Sequence, residues 1–184
     1  NDFINNSYDL ELRSGTNNNG FRRPYFKNNE IYYKVPSSYP AIHQFAANHS
    51  QFLYFIFIRI DRLRAPLPNS AESAEGIISK QGMSYPLFKE SVEITEQLMR
   101  KIRKRIPEHI PILLFSTQNI FPYHDELKRL SEKNDIRFTD QPSVALRSAE
   151  RKGITTTAQD GAHWNNAGHQ IVADVLKRYF LENF

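Results

Sequence analysis

The stretch Ile110-Pro111-Ile112-Leu113-Leu114-Phe115-Ser116-Thr117 is a short apolar run bounded by polar residues. A run of this length without alternation is typical of a strand buried on both faces of a parallel sheet. An amphipathic helical pattern over 87–106 precedes it, and a helical pattern over 122–134 and a short strand pattern over 136–139 follow it. This order predicts a βαβ unit of an α/β layered domain. Two strands do not make a stable parallel sheet, so we expect further strands to join them.

The composition is that of one globular domain, which is the default for a chain of 184 residues. Apolar residues make up 40%, with 13 Phe and 9 Tyr, which is enough to fill a core. The formal net charge of +4 falls short of a nucleic-acid-binding signature, and we expect no nucleic-acid partner. The absence of cysteine excludes disulfides, thiolate metal sites and a cysteine nucleophile. No apolar run approaches the roughly 18 residues that span a bilayer, so we expect no integral membrane span.

Three segments show no clear periodicity. Residues 1–40 are rich in Asn, Tyr, Phe and Pro, and we interpret 3–40 as an irregular insertion within the domain or as a lid over a substrate. The aromatic residues in this segment favour packing over disorder. We interpret residues 69–82 as a polar connector and residues 140–159 as a second irregular stretch.

Two more helices are predicted. The pattern from 41 to 63 is helical and contains seven consecutive apolar residues at 52–58, which are followed by Arg59, Asp61, Arg62 and Arg64. A membrane-surface anchor with a basic collar fits this pattern, but we favour a buried helix or strand whose end carries solvated charge. The last helix is predicted over 166–183, with Asn165 or Asn166 as its cap.

Candidate chemistry lies in Asp160-Gly161-Ala162-His163-Trp164-Asn165-Asn166-Ala167-Gly168-His169. A tight turn at Gly161 would place the side chains of Asp160 and His163 on one side of the chain. A carboxylate beside an imidazole fixes its tautomer and stabilises the imidazolium that forms when the ring accepts a proton. A structural turn, in which Asp160 caps backbone amides, is the alternative. A metal site that adds His169 is disfavoured, because residues six apart on a helix point to different faces. His43, His49, His109 and His124 share no spacing, and we interpret them as surface or core residues.

The pattern Asp160-x-x-His163 with Trp164-Asn165 and then Gly168-His169 resembles the last signature block of the SGNH (GDSL-type) hydrolases. The first residues, Asn1-Asp2-Phe3-Ile4-Asn5-Asn6, resemble the Gly-x-Asn-Asp block of that family without its glycine. The two blocks lie at opposite ends of the chain, so the resemblance frames all of it. It implies a three-layer, flavodoxin-like α/β fold with a parallel sheet flanked by helices.

The resemblance assigns roles to four residues. His163 would be the general base that activates a serine hydroxyl, and Asp160 would orient its imidazole. Asn1 would donate a hydrogen bond from its side-chain amide to the oxyanion. This bond would lower the activation free energy by about 3 kcal/mol. Asp2 would support the loop that follows the strand. No cofactor and no metal are implied.

The serine itself is not found in this sequence. The family nucleophile lies in an N-terminal Gly-Asp-Ser block, and none of the serines here has that context, including Ser14, Ser50, Ser84 and Ser116. That missing part would also carry about three strands of the sheet. These would supply the neighbours that the two predicted strands need. We therefore expect these residues to be the C-terminal portion of a longer chain, with the N-terminal portion of the same protein as their partner.

The function that follows is a serine-dependent esterase that hydrolyses a small-molecule or carbohydrate O-acyl ester. Two alternatives stay open. One is an O-acyltransferase of the same superfamily, which would pass the acyl group to a sugar hydroxyl, and the other is a non-catalytic module that binds a carbohydrate or a partner. The resemblance favours a secreted or cell-envelope location over the cytoplasm.

Overall fold

A computed structural model describes residues 2–14, 22–37, 39–64, 66–67, 70–159 and 163–184. The described residues form a mixed α/β structure that is mostly helical and contains two small sheets. The chain divides into two compact units, Asn1–Lys101 and Ile102–Phe184, and the division falls within one long helix. The expectation of a single domain that lacks its N-terminal part stays a prediction.

The first unit begins with two short helices and a β-hairpin. In chain order its elements are α1 (Asp2–Asn6), α2 (Tyr8–Glu11), β1 (Arg23–Lys27), β2 (Glu30–Lys34), α3 (Pro40–His49), α4 (Gln51–Arg64), α5 (Ala74–Gln81), a short 3-10 helix (Gly82–Ser84) and α6 (Pro86–Arg105). The interpretation of residues 3–40 as irregular was therefore wrong, because four of these elements lie in that segment. Its role as a lid or an insertion stays a prediction.

The hairpin forms because two asparagines make its turn. Asn28 and Asn29 adopt positive φ angles of 51° and 67°, which asparagine tolerates and which a tight hairpin between twisted strands requires. The strands β1 and β2 pair antiparallel, with Tyr25 opposite Tyr32. Tyr25 and Phe26 are buried, which confirms the predicted packing for these two aromatic residues, whereas Tyr33 is 58% exposed.

Helix α6 contributes buried side chains to the core of the first unit. Its Phe88 is fully buried and meets the ring of Phe3 edge-on, with the ring centroids 5.7 Å apart. The Ser91 hydroxyl donates a hydrogen bond to the Phe3 carbonyl, and the side-chain amide of Asn6 donates to the Thr95 hydroxyl. The buried face of α6 therefore holds α1 in place, as its predicted apolar stripe requires.

The region from 41 to 63 is helical, as predicted, but it breaks at Ser50 into α3 and α4. The favoured burial of 52–58 was wrong, because Phe52, Leu53 and Phe55 are 71%, 40% and 51% exposed and the other four residues are half-buried. The seven apolar residues wind around α4, and a helix packed on one side leaves some of them in solvent. Within the described residues, no helix combines the length and the apolar character needed to cross a bilayer.

The polar connector predicted over 69–82 was also wrong. Its second half is α5, which Ser73 caps by accepting a hydrogen bond from the Gly76 amide. Ala74 and Ile78 are fully buried, so α5 packs against the core although most of the segment 69–82 is polar.

The second unit contains the predicted parallel pair of strands. Its elements are β3 (Leu113–Phe115), α7 (Tyr123–Lys133), β4 (Arg137–Thr139), α8 (Gln141–Arg151) and α9 (Asn166–Asn183). The strands β3 and β4 pair in parallel, with Leu114 opposite Phe138, so the βαβ prediction is confirmed. Each strand of the pair is three residues long, and β3 is half-buried rather than buried on both faces.

Helix α8 replaces most of the irregular stretch expected over 140–159. Pro142 lies in its first turn, where the missing amide costs nothing, and Ser143, Leu146 and Ala149 form its buried face. The prediction failed because two of these three buried residues are small, so the apolar period was weak.

Candidate functional site

The candidate site was predicted from Asp160, His163 and Asn1. Of these, His163 is described, and it lies exposed in the turn that leads into α9. Asn1 and Asp160 lie outside the described residues. The pairing of Asp160 with His163 and the role of Asn1 as an oxyanion donor therefore stay predictions.

Asn165 starts α9 and fixes the turn that carries His163. Its side-chain oxygen accepts a hydrogen bond of 3.0 Å from the Gly168 amide, which is the capping role predicted for it. Its side-chain nitrogen donates to the carbonyls of Thr155 and Thr157, at 2.8 and 3.2 Å. Its backbone amide donates to the Thr156 carbonyl at 3.0 Å. One asparagine thus ties the start of α9 to an extended segment upstream.

That extended segment also holds the backbone of His163 directly. The Ala158 amide donates a hydrogen bond of 2.8 Å to the His163 carbonyl, and Thr157 and Trp164 form an isolated antiparallel bridge. Thr156 is 2% exposed, and its hydroxyl donates to the carboxylate of Glu150 on α8 at 2.6 Å. His163 is therefore an exposed residue whose backbone carbonyl is held by the extended segment.

Gly168 lets these two segments approach closely. A Cβ atom at this position would lie 2.3 Å from the Thr156 carbonyl oxygen and 3.0 Å from Trp164 Cβ. The indole of Trp164 packs edge-on against the imidazole of His169, with ring centroids 5.3 Å apart. His169 thus contacts Trp164 from the first turn of α9.

An open depression lies along the same extended segment. It has a volume of about 340 Å³ and is lined by Glu150 and by the residues from Gly153 to Thr157. Among the residues that the structure describes, no three His, Asp or Glu side chains form a cluster able to hold a metal ion.

A second histidine sits between carboxylates in the same unit. His124 Nδ1 lies 3.1 Å from Asp125 Oδ1, and its Nε2 lies 3.7 Å from Asp140 Oδ2. Asp140 directly follows β4, and the carboxyl ends of parallel strands are a common location of sites in α/β proteins. We interpreted His124 as a surface or core residue. The usable signal in the sequence was Asp140, which directly follows the strand predicted over 136–139.

A third histidine, His43 in the first unit, is 2% exposed and lies 2.6 Å from the carboxylate of Asp61. It was also assigned to the surface or the core, and burial agrees with the second of these. The pair was missed because its members lie on different helices, α3 and α4, and no short spacing announces it.

No protein-family model, curated protein or solved structure matches the chain. The functional interpretation therefore rests on the residues themselves and on their local geometry.

Proposed function

We propose that this chain carries the base half of a serine-dependent ester hydrolase of the SGNH type. The observation that supports it most is the exposed position of His163, at a turn whose backbone is bonded to both α9 and the Thr155–Thr157 segment. A general base needs an imidazole that reaches solvent and substrate from a fixed backbone. Asp160 precedes it by three residues in the sequence.

The reaction would follow from the role of each residue. A serine hydroxyl from an upstream Gly-Asp-Ser block attacks the acyl carbonyl, and His163 takes its proton as the C–O bond forms. Asp160 orients the ring and stabilises the imidazolium, and the Asn1 amide donates to the oxyanion. His163 then returns the proton to the leaving alkoxide. Water, activated by the same base, hydrolyses the acyl-enzyme and restores the serine.

A three-layer, flavodoxin-like fold is part of the proposal. The parallel pair β3–β4 with α7 between the strands is the repeating unit of such folds. A pair of three-residue strands is below the size of a stable sheet, so the proposed fold requires additional strands beside it.

Turnover of nitrophenyl acetate by the full-length gene product tests the proposal. His163→Ala should lower kcat about 10⁶-fold, which is the loss seen when the histidine base of a serine-protease triad is removed. His109→Ala is the matched control, because His109 is an exposed histidine in the turn before β3. A fluorophosphonate should label one serine, located by peptide mass, and abolish turnover.

Three outcomes separate the alternatives. Turnover that depends on His163, together with a labelled serine, supports the hydrolase. A product that shifts from the free acid to an acylated sugar alcohol, when such an acceptor is added, moves the assignment to the acyltransferase. No turnover and no labelling contradict the enzyme and favour a binding module.

A further inference from the structure

One side of helix α4 is apolar and exposed to solvent. Phe52, Phe55 and Leu63 are 71%, 51% and 86% exposed. Arg59, which lies between Phe55 and Leu63 in the sequence, is exposed as well. Each of these residues follows the one before it by three or four positions, so their side chains lie along one side of the helix. Together the four residues form the α4 stripe.

The opposite side of α4 is held by the rest of the first unit. Asp61 accepts a hydrogen bond of 2.7 Å from the Ser37 hydroxyl, and Nε2 of the buried His43 lies 2.6 Å from the same carboxylate oxygen. The rings of Tyr54 and Phe57 lie against the same imidazole, with centroids 6.4 and 6.1 Å from its own. Positions 54, 57 and 61 are about half a turn away from the α4 stripe. A helix that is fixed on one side therefore presents the stripe to solvent.

The charge along α3 and α4 is one-sided. Among their described side chains, the exposed charges are positive: Arg59 lies in the stripe, with its guanidinium 5.0 Å from the centroid of the Phe55 ring, and Arg64 ends α4. The one acid in the sequence from 40 to 64 is Asp61, whose side chain is 11% exposed and already hydrogen-bonded within the protein. An anionic surface that approaches the stripe thus meets cations and no exposed carboxylate of these two helices.

A row of large exposed apolar side chains marks a contact surface, and its chemistry favours lipid. Arginine within such a row suits a membrane, because its guanidinium can reach phosphate headgroups while its aliphatic stem lies among apolar groups. Helix α4 is 14 residues long, which suits a helix that lies in the plane of the interface. The exposure of the stripe therefore reverses the preference for a buried segment over a membrane-surface anchor.

We infer that α4 binds the surface of a membrane that contains anionic lipids. Phe52, Phe55 and Leu63 enter the boundary between headgroups and acyl chains, and the guanidinium of Arg59 bonds to lipid phosphates. Arg64 adds a second cation at the end of the helix. Binding of this kind is independent of the proposed ester chemistry.

Cosedimentation of the full-length gene product with two kinds of vesicle tests the lipid chemistry. Vesicles of phosphatidylcholine are compared with vesicles in which phosphatidylglycerol replaces part of the phosphatidylcholine. Arg59 and Arg64 together should raise the affinity for the anionic vesicles about 30-fold, or about fivefold for each arginine. High salt should remove most of this preference. Failure to sediment with either vesicle, or equal affinity for the two, overturns the inference.

Two serine variants locate the apolar contact. Phe52→Ser and Leu63→Ser change side chains that are mostly in solvent, so both variants should fold. Each should lower the affinity for anionic vesicles about tenfold, through the loss of apolar surface buried in the membrane. Phe52→Trp should keep the affinity, because tryptophan rings favour the interface. Leu181→Ser is the matched control, since Leu181 is 78% exposed on α9, and a loss equal to that of Leu63→Ser contradicts the assignment to α4.

Arg59→Gln separates the charge from the apolar contact. This variant should lower the affinity for anionic vesicles about fivefold and leave the affinity for neutral vesicles unchanged. Arg105→Gln is the matched control, because Arg105 is an exposed arginine at the basic end of α6. If Arg105→Gln has the full effect and Arg59→Gln has none, α6 binds the lipid and the inference is wrong.

A protein partner is the other possible occupant of the α4 stripe, and size-exclusion chromatography separates it from lipid. A gene product that does not bind vesicles, but elutes as a dimer that Phe52→Ser dissociates, uses the stripe as an interface between two copies. That outcome contradicts the membrane assignment. A monomer that binds anionic vesicles through Phe52 and Arg59 supports it.

Discussion

Gly168→Ala should destabilise the second unit, although glycine-to-alanine changes usually stabilise a helix. The new Cβ would lie 2.3 Å from the Thr156 carbonyl oxygen, where an ordinary contact starts at 3.4 Å. The neighbour is a backbone atom and not the end of a flexible side chain. That carbonyl also accepts the Asn165 amide, and Thr156 itself is anchored to Glu150. The extended segment must therefore move by about 1 Å and loosen its hydrogen bonds to the start of α9.

The magnitude follows from two opposing effects. Overpacking against a hydrogen-bonded backbone costs about 3 kcal/mol, which is the upper end of the usual range for inserted methyl groups. Alanine returns about 1 kcal/mol of helix propensity over glycine. The free energy of unfolding should therefore fall by about 2 kcal/mol, which corresponds to about 4–8 °C in Tm for a chain of this size.

Trp164 provides the assay, because it is the one tryptophan of the chain and lies four residues before Gly168. Urea unfolding followed by its fluorescence reports on this turn. Ala173→Gly, at an exposed position of α9, is the control and should cost about 1 kcal/mol from propensity alone. A Gly168→Ala variant that is more stable than the wild type by that same amount would refute the close approach.

Three other substitutions test the remaining contacts. Asn165→Ala removes the α9 cap and two bonds to carbonyls and should cost about 2–3 kcal/mol, whereas Asn165→Asp, which keeps the capping oxygen, should cost about half of that in the same fluorescence assay. Glu11→Ala leaves the buried Tyr25 hydroxyl and the Arg23 guanidinium without their acceptor. Because the Arg23 side chain is 27% exposed, the free energy of unfolding should fall by about 3 kcal/mol, the low end for a broken buried ion pair. Unfolding followed by circular dichroism measures this loss. Burial and the hydrogen bond to Glu11 raise the pKa of Tyr25 well above its ordinary value of 10.0. The unfolded chain then loses the phenolic proton first, so the free energy of unfolding should fall as the pH rises above about 10. Tyr25→Phe should flatten this slope and Tyr33→Phe, at an exposed position, should not; equal slopes in the two variants would contradict the assignment.

The sequence was informative wherever an apolar period ran for several turns. Helices α6, α7 and α9 were predicted to within about one residue at each end, because each buries a regular apolar stripe. The parallel pairing of the two strands was also predicted, but β3 covers only three residues of the run 110–117 and is half-buried. Asn165 was predicted as a cap because an asparagine before an amphipathic run has a physical role there.

The missed elements have a common physical cause. Small residues such as Ala74, Ser143 and Ala149 make much of the buried faces of α5 and α8, which gives these helices little apolar period. The hairpin β1–β2 was missed although its turn signal was present, because Asn28-Asn29 lies in a segment with many other asparagines. The exposure of Phe52 and Phe55 was missed for a different reason, since composition does not say which side of a helix meets solvent.

Pairs that form across helices are beyond local reasoning altogether. His43 and Asp61 meet only because α3 and α4 fold back on each other, and their separation of 18 residues matches no motif. By contrast, Asp160 and His163 were proposed as a pair because three residues and a glycine suffice to bring them together.

The frame of hydrogen bonds around His163 also joins residues that are close in the sequence. The function of His163 can therefore be tested separately from the stability of the turn that carries it. The hydrogen bonds described above for that frame join residues between Glu150 and Gly168, so they tie the turn to α8 and α9. His163 is an exposed residue, and substitutions of exposed residues usually change stability little. Removing the imidazole should therefore abolish ester turnover while the Trp164 unfolding transition stays close to that of the wild type. Removing the Asn165 side chain should lower both together, and this difference is what distinguishes a catalytic histidine from a structural one.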